Sequence, residues 1–191
     1  EITTRLVGSE MCIRDRFIDR LAKKMPANVT VVADVGQNQI WTCTEYKFRK
    51  EGRLLTSGGM GTMGYSVPAA IGAKMADNSR ATVAICGDGA FQMSFMELAT
   101  AVQFGVDIKV VVMTNNRLGM VRELQTNGYH DRQTAVFLDG SPDFIKLAEA
   151  YGIPAMRVYD DDTMEKGIEM LAEHKGICLV EVVVDKDMPT L

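Results

Sequence analysis

Two short stretches carry oxygen-bearing side chains at a spacing that suits joint work. In AICGDGAFQ (84–92), Asp88 stands between Gly87 and Gly89. In MTNNRLGMV (113–121), Asn115 follows the most apolar run of the chain, 27 residues further on. An Asp in a glycine turn is by itself a common turn former. The second stretch gives it another meaning, because one strand–helix–strand unit fills such an interval and brings both side chains to adjacent strand ends. A carboxylate, an amide oxygen and a nearby backbone carbonyl form a hard oxygen set. Such a set suits Mg²⁺, which takes few protein ligands and completes its shell with phosphate oxygens and water. Glycines beside the Asp let backbone approach a bulky anion, and the helix that follows adds N–H groups and the positive end of its dipole. With a net charge of −4, the protein would repel a diphosphate unless a cation bridged it to Asp88.

The elements that must position these residues alternate. Apolar or β-branched runs at 29–34, 53–57, 81–86, 107–114, 155–159 and 177–184 read as strands. Between them, 17–25, 37–46, 66–76, 95–105, 142–152 and 163–175 read as helices, and GGMGTMG (58–64) as a turn. Pro142 and Gly152 punctuate one helix, and Gly105 closes another. Helices alternating with continuous apolar strands imply a three-layer α/β/α domain with a mainly parallel sheet. Ligands of such sheets sit beyond the carboxyl ends of the strands, where Asp34, Asp88 and Asn115 all fall.

Composition narrows the function classes. A chain of 191 residues with 47% hydrophobic and 24% charged residues fits one globular domain. The acidic balance argues against a nucleic-acid partner, and no apolar run is long enough to span a membrane. Cys12, Cys43, Cys86 and Cys178 form no CxxC pair, which reads as reduced thiols in a cytoplasmic protein, not as a zinc site. With only His130 and His174, a histidine-based site has little to build on. The opening EITTRLVGSEMCIRDR (1–16) has no sustained period and resembles a library or assembly scar, so the domain is expected to occupy 17–191.

Four ordered motifs carry a wider resemblance: DVGQNQIW, LTSGGMGTMGYSVPAAIGA, GDGAFQMSFMELAT and NNRLGMV. Together they are similar to the C-terminal, thiamine-diphosphate-binding domain of the acetolactate synthase (acetohydroxyacid synthase) large subunit, over about residues 17–189. The resemblance implies that Asp88, the Asn115 side chain and the Arg117 carbonyl hold Mg²⁺. An alternative alignment gives the amide to Asn116; counting back from LGMV favours Asn115. Gly87, Gly89 and Ala90 match backbone contacts to the cofactor, with Ala90 where the family often has serine. Val35, Gly36, Gln37 and Asn38 match the loop that reaches the diphosphate, with Asn38 where histidine is common. Gly61 and Met63 match the aminopyrimidine site, Met63 wedging the cofactor into its bent form. Gly119, Met120 and Val121 match the diphosphate and metal loop. Leu124 stands where many members carry a tryptophan that favours 2-ketobutyrate as second substrate.

Taken alone, some of these residues read more plainly. Met63, one of 13 methionines, would be core. Trp41 reads as packing, KFRKEGR (47–53) as a solvated loop, and Glu97 as a structural hydrogen-bonding group. The resemblance also implies what lies elsewhere. A glutamate on a pyrimidine-binding domain, usually of a neighbouring subunit, activates the cofactor, and a middle domain holds FAD. Neither is expected within this chain, which therefore carries no catalytic residue of its own and is expected to be inactive alone. The implied activity decarboxylates pyruvate and condenses the two-carbon unit with a second 2-keto acid, in branched-chain amino-acid biosynthesis. A homodimer or tetramer, with a possible small regulatory subunit, is the implied assembly. The alternatives are another thiamine-diphosphate enzyme, such as a pyruvate oxidase or 2-keto acid decarboxylase, and a non-catalytic Mg²⁺–nucleotide module. The missing GxxxxGK[ST] loop weighs against the last.

Overall fold

The computed structural model describes residues 11–190. In chain order the elements are α1 (Met11–Lys24), β1 (Thr30–Ala33), α2 (Gln37–Glu45), β2 (Arg53–Thr56), α3 (Ser66–Ala76), β3 (Thr82–Gly87), α4 (Asp88–Gln92), α5 (Leu98–Gln103), β4 (Lys109–Thr114), α6 (Gly119–Gly128), α7 (Phe144–Ala150), β5 (Ala155–Val158), α8 (Asp161–Glu173) and β6 (Cys178–Val183). The six strands form one sheet in the order β2-β1-β3-β4-β6-β5. Every pairing is parallel, with Val32 opposite both Leu55 and Ala84, and Val111 opposite both Ile85 and Val180.

A parallel sheet needs both faces covered, and strand residues alternate between them. Val31, Val83, Val111 and Val180 point to a core closed by Phe17 and Leu21 of α1, Trp41 of α2 and Met164 and Leu171 of α8. Val32, Ala84, Val110 and Val112 point to the other, closed by Val67 and Ile71 of α3, Phe91 of α4, Leu98 of α5 and Phe144 of α7. Phe91 and Phe144 meet edge to face at 5.4 Å, fixing α4 against α7. Local chemistry agrees with this packing. Asp160 and Thr163 form a capping box at α8, and the Asp143 carboxylate accepts the first amides of α7.

Three features differ from the pattern read in the sequence. The first helix begins at Met11, six residues before Phe17, and Ile13 is part of the core; residues 1–10 lie outside the described residues. The helix expected over 95–105 is a 3₁₀ turn (Phe95–Glu97) followed by α5, ending before Gly105 at φ 60°. α6 is not among the helices expected from the sequence: of its residues Arg122 alone is buried, and its apolar side, Met120, Val121 and Leu124, is exposed and not packed in the core. No helix among the described residues is long and apolar enough to cross a membrane.

Candidate functional site

The strand order reverses beside β1. The chain leaves β1 outward to β2, then returns to β3 on the other side. Loops diverge at such a reversal, and a crevice opens at the carboxyl ends of the flanking strands. A cleft of about 300 Å³ lies there. Every residue expected at the cofactor and metal site lines it, from Val35–Asn38 through Gly61, Met63 and Gly87–Ala90 to Asn115, Arg117 and Gly119–Val121. Trp41, Met113 and Leu118 line it too; they lie within the quoted stretches, but the sequence assigns them no site role, and Trp41 reads there as packing.

Asp88 opens α4 directly at the end of β3 and is only 1% exposed. Its Oδ1 accepts the Gly89 amide at 2.8 Å, and its Oδ2 accepts the amides of Asn115 at 3.2 Å and Asn116 at 2.6 Å. Burial pushes its carboxyl up to about 6, although those N–H groups pull the other way. The carboxylate thus sits desolvated, satisfied in part by backbone donors.

Asn115 is buried, and its side chain faces the cleft from the end of β4. Its Nδ2 donates to Gln37 Oε1 at 3.2 Å, and its Oδ1 accepts the Arg117 amide at 3.0 Å. Asn116 differs: its side chain does not line the cleft, and its backbone is left-handed at φ 54°. The Arg117 guanidinium is taken up by Asp139 at 3.0 Å and by the Phe137 ring. The loop carrying Phe137 is bonded to this rim through Leu118 N to Val136 O and Leu138 N to Asn116 O, each 2.9 Å.

Asp34, the third acidic or amide group at a strand end, is braced away from the cleft. Its Oδ1 accepts the amides of Val35 (2.9 Å) and Gly64 (3.0 Å), and its Oδ2 that of Ser66 (2.8 Å). This holds the glycine-rich turn against β1 and brings Met63 over Gly89, where a Cβ would lie 3.3 Å from Met63 Cε and 2.7 Å from Leu118 Cδ2. Asn38 is likewise turned inward, its Nδ2 donating to Asp34 O at 2.8 Å and Ile85 O at 3.3 Å. Its donor serves the sheet. Trp41 is both core and cleft wall, and its Nε1 donates to Pro189 O at 3.3 Å and Thr190 O at 3.1 Å. No sequence signal pointed to those carbonyls, because backbone acceptors carry no residue signature. Leu124 lies outside the cleft and is exposed on α6, one turn beyond the cleft-lining Met120 and Val121.

A parallel sheet with oxygen-bearing side chains and helix starts gathered at its reversal point has the layout of a diphosphate-type binding domain. The chain belongs to the family described as thiamine pyrophosphate enzyme, C-terminal TPP binding domain, which it matches over residues 34–182. Among curated proteins, it is 42% identical over 156 residues to the acetolactate synthase large subunit of Lactococcus lactis, covering 82% of this chain and 27% of that protein. It is 42% identical over 161 residues to the mitochondrial acetolactate synthase catalytic subunit of Aspergillus candidus, covering 84% and 23%. With the large subunit of acetolactate synthase isozyme 2 of Escherichia coli it shares 35% identity over 170 residues, 89% of this chain and 31% of that one. The chain thus spans 23–31% of the length of these relatives.

Proposed function

We propose that this chain is the diphosphate-binding domain of an acetolactate-synthase-like enzyme, and that its cleft takes thiamine diphosphate together with Mg²⁺. One observation carries the metal. Asp88 is a buried carboxylate at the cleft whose partners are backbone amides alone, and burial still raises its affinity for a proton. A divalent cation in the proton's place would favour the ionised form and turn that penalty into binding energy. The donors at hand are all oxygens, from Asp88, Asn115 and the Arg117 carbonyl, and such a set fits Mg²⁺. The N-terminal turn of α6 at Gly119–Val121 would offer amides to a diphosphate.

Bound thiamine diphosphate would supply the nucleophilic carbon that lets a 2-keto acid lose CO₂ and pass on a two-carbon unit. The chain's own part is to bind, orient and keep water out. Met63 and Leu118 would wall the apolar side, and Asp88 and Asn115 the polar one. In the whole enzyme, the reaction would decarboxylate pyruvate and join the two-carbon unit to a second 2-keto acid. The pyrimidine-binding domain with its glutamate, the FAD-holding domain, a dimeric or tetrameric assembly and a small regulatory subunit belong to the same proposal, as does a cytoplasmic location.

Trp41 provides the test, since the only tryptophan lines the cleft. Its emission should change on adding thiamine diphosphate with Mg²⁺, and not with ATP and Mg²⁺. Saturation by ATP, or thiamine diphosphate binding that ignores Mg²⁺, would reject the assignment.

A further inference from the structure

Gln37 is 4% exposed at the start of α2, where its amide closes a chain of hydrogen bonds with one allowed polarity. Its Nε2 donates to the backbone carbonyl of Met188 at 2.9 Å and to Thr190 Oγ1 at 3.2 Å. Its Oε1 accepts Asn115 Nδ2 at 3.2 Å. Asn115 Oδ1 in turn accepts the Arg117 amide at 3.0 Å. An amide side chain can be turned end for end with little change of shape, so its orientation must come from its partners. Here the two ends of the chain settle it. The Met188 carbonyl can only accept and the Arg117 N–H can only donate. Both therefore require Gln37 to show its oxygen to Asn115, and Asn115 to keep its oxygen on the other side.

We propose that Gln37 is a positioning residue, which orients the Asn115 amide so that its oxygen, not its NH₂, is presented for metal binding. The inference rests on the Mg²⁺ reading of the site given above. The acceptors that hold Gln37 are themselves anchored to α6. Arg122 donates to Met188 O at 3.2 Å, and Thr190 is bonded to the Glu123 carboxylate through both its amide and its hydroxyl. Residues 188–190 thereby join the starts of α2 and α6, the two helices that flank the cleft. The arrangement also accounts for Gly119. A Cβ there would lie 1.8 Å from Gln37 Oε1, so any other residue would displace the amide.

The experiment is a double-mutant cycle on the 191-residue chain, reading the Mg²⁺ concentration that half-saturates thiamine diphosphate binding through Trp41 emission. Gln37→Met removes both amide functions at similar length. It should raise the Mg²⁺ midpoint about tenfold, in the range typical of residues that orient metal ligands. In an Asn115→Asp background both terminal atoms are oxygens and no orientation is needed; Gln37 Oε1, still held toward residue 115 by the Met188 carbonyl, then faces a carboxylate with no donor between them, so Gln37→Met should leave the midpoint unchanged or lower it. A purely structural role would give the same loss in both backgrounds, and that result, or no loss in either, overturns the inference while leaving the proposed function intact. If the parent itself shows no Mg²⁺-dependent binding, the proposed function falls and this inference with it. Emission without cofactor is recorded in parallel, because the bonds from Trp41 to Pro189 and Thr190 report whether residues 188–190 stay seated.

Discussion

The Asn116 amide donates to Asp88 Oδ2 at 2.6 Å from a backbone in the left-handed region, φ 54°. That geometry separates the two asparagines that follow β4. Asn116 serves the carboxylate with its main chain, while Asn115 brings its side chain to the cleft. Asn115→Ala is therefore expected to weaken Mg²⁺-dependent cofactor binding at least tenfold, and Asp88→Ala to abolish it. Asn116→Ala should leave the Mg²⁺ midpoint within about twofold and instead lower stability by about 1 kcal/mol, because alanine tolerates the left-handed region less well than asparagine. Chemical denaturation beside the Mg²⁺ titration separates the two effects. A larger binding loss for Asn116→Ala would move the ligand to that residue.

The buried Asp88 carboxyl sets a pH dependence whose sign is opposite to that of a salt-bridged acid. Its folded-state value, about 6, lies above the ordinary 3.8. Protonation therefore favours the folded chain: the contribution is fully present below about pH 4 and is lost as pH rises through 6, a difference of about 3 kcal/mol. Without cofactor, the parent should gain stability relative to Asp88→Ala between pH 7 and pH 4. Binding runs the other way, because the metal needs the ionised form. Mg²⁺-dependent affinity should fall by up to tenfold per pH unit below 6, with proton release on binding near pH 5.5. Calorimetry in two buffers of different ionisation enthalpy reads that proton directly, and a pH-independent affinity between 5 and 7 would show that the Asp88 carboxyl is not held near 6.

Much of this architecture can be read in the residues, for identifiable reasons. β4 shows itself because Val110, Val111 and Val112 are buried on both faces, and a continuous β-branched run has few other uses. The metal-type pair could be anticipated because Asp88 and Asn115 are separated by one strand–helix–strand unit. α6 could not, since its buried side is a single arginine and the rest faces the cleft or solvent. The role of Gln37 was hidden for a related reason: its acceptor is the carbonyl of Met188, 151 residues away, and any residue would supply that carbonyl. Asp34 shares with Asp88 a place at a strand end, at β1 instead of β3, and the sequence alone does not tell their roles apart. Only the three amides converging on it show a brace.

The first helix offers a separate test. Ile13 packs in the core at 8% exposure, and the Arg14 guanidinium lies 4.7 Å above the Trp41 ring while donating to Pro189 O at 3.3 Å. Ile13→Ala should lower stability by about 2 kcal/mol, the usual scale for truncating a buried aliphatic side chain. Our proposal that the opening segment is foreign to the domain is then confined to residues 1–10, whose removal should leave the unfolding midpoint unchanged. A neutral Ile13→Ala would return the boundary to Phe17.

Substrate choice is tested at Leu124. It lies four residues after Met120 and three after Val121 on α6, so all three fall on one side of the helix, and the first two line the cleft. Leu124 itself is 61% exposed, placed where a larger side chain could extend the cleft wall outward without rebuilding the core. Under the proposed function, Leu124 matches a position where the acetolactate synthase resemblance implies a tryptophan, a ring that would pack on the extra methyl of 2-ketobutyrate. One methylene in an apolar pocket is worth about 1–3 kcal/mol of discrimination, and leucine covers less of it. The full-length enzyme carrying Leu124 should therefore prefer 2-ketobutyrate over pyruvate weakly or not at all, and Leu124→Trp should raise that preference about tenfold. Competition between the two keto acids, scored as acetohydroxybutyrate against acetolactate, measures the ratio. A strong preference already present with Leu124 would mean that another residue reads the ethyl group, and an unchanged ratio in Leu124→Trp would place this turn of α6 outside the substrate path.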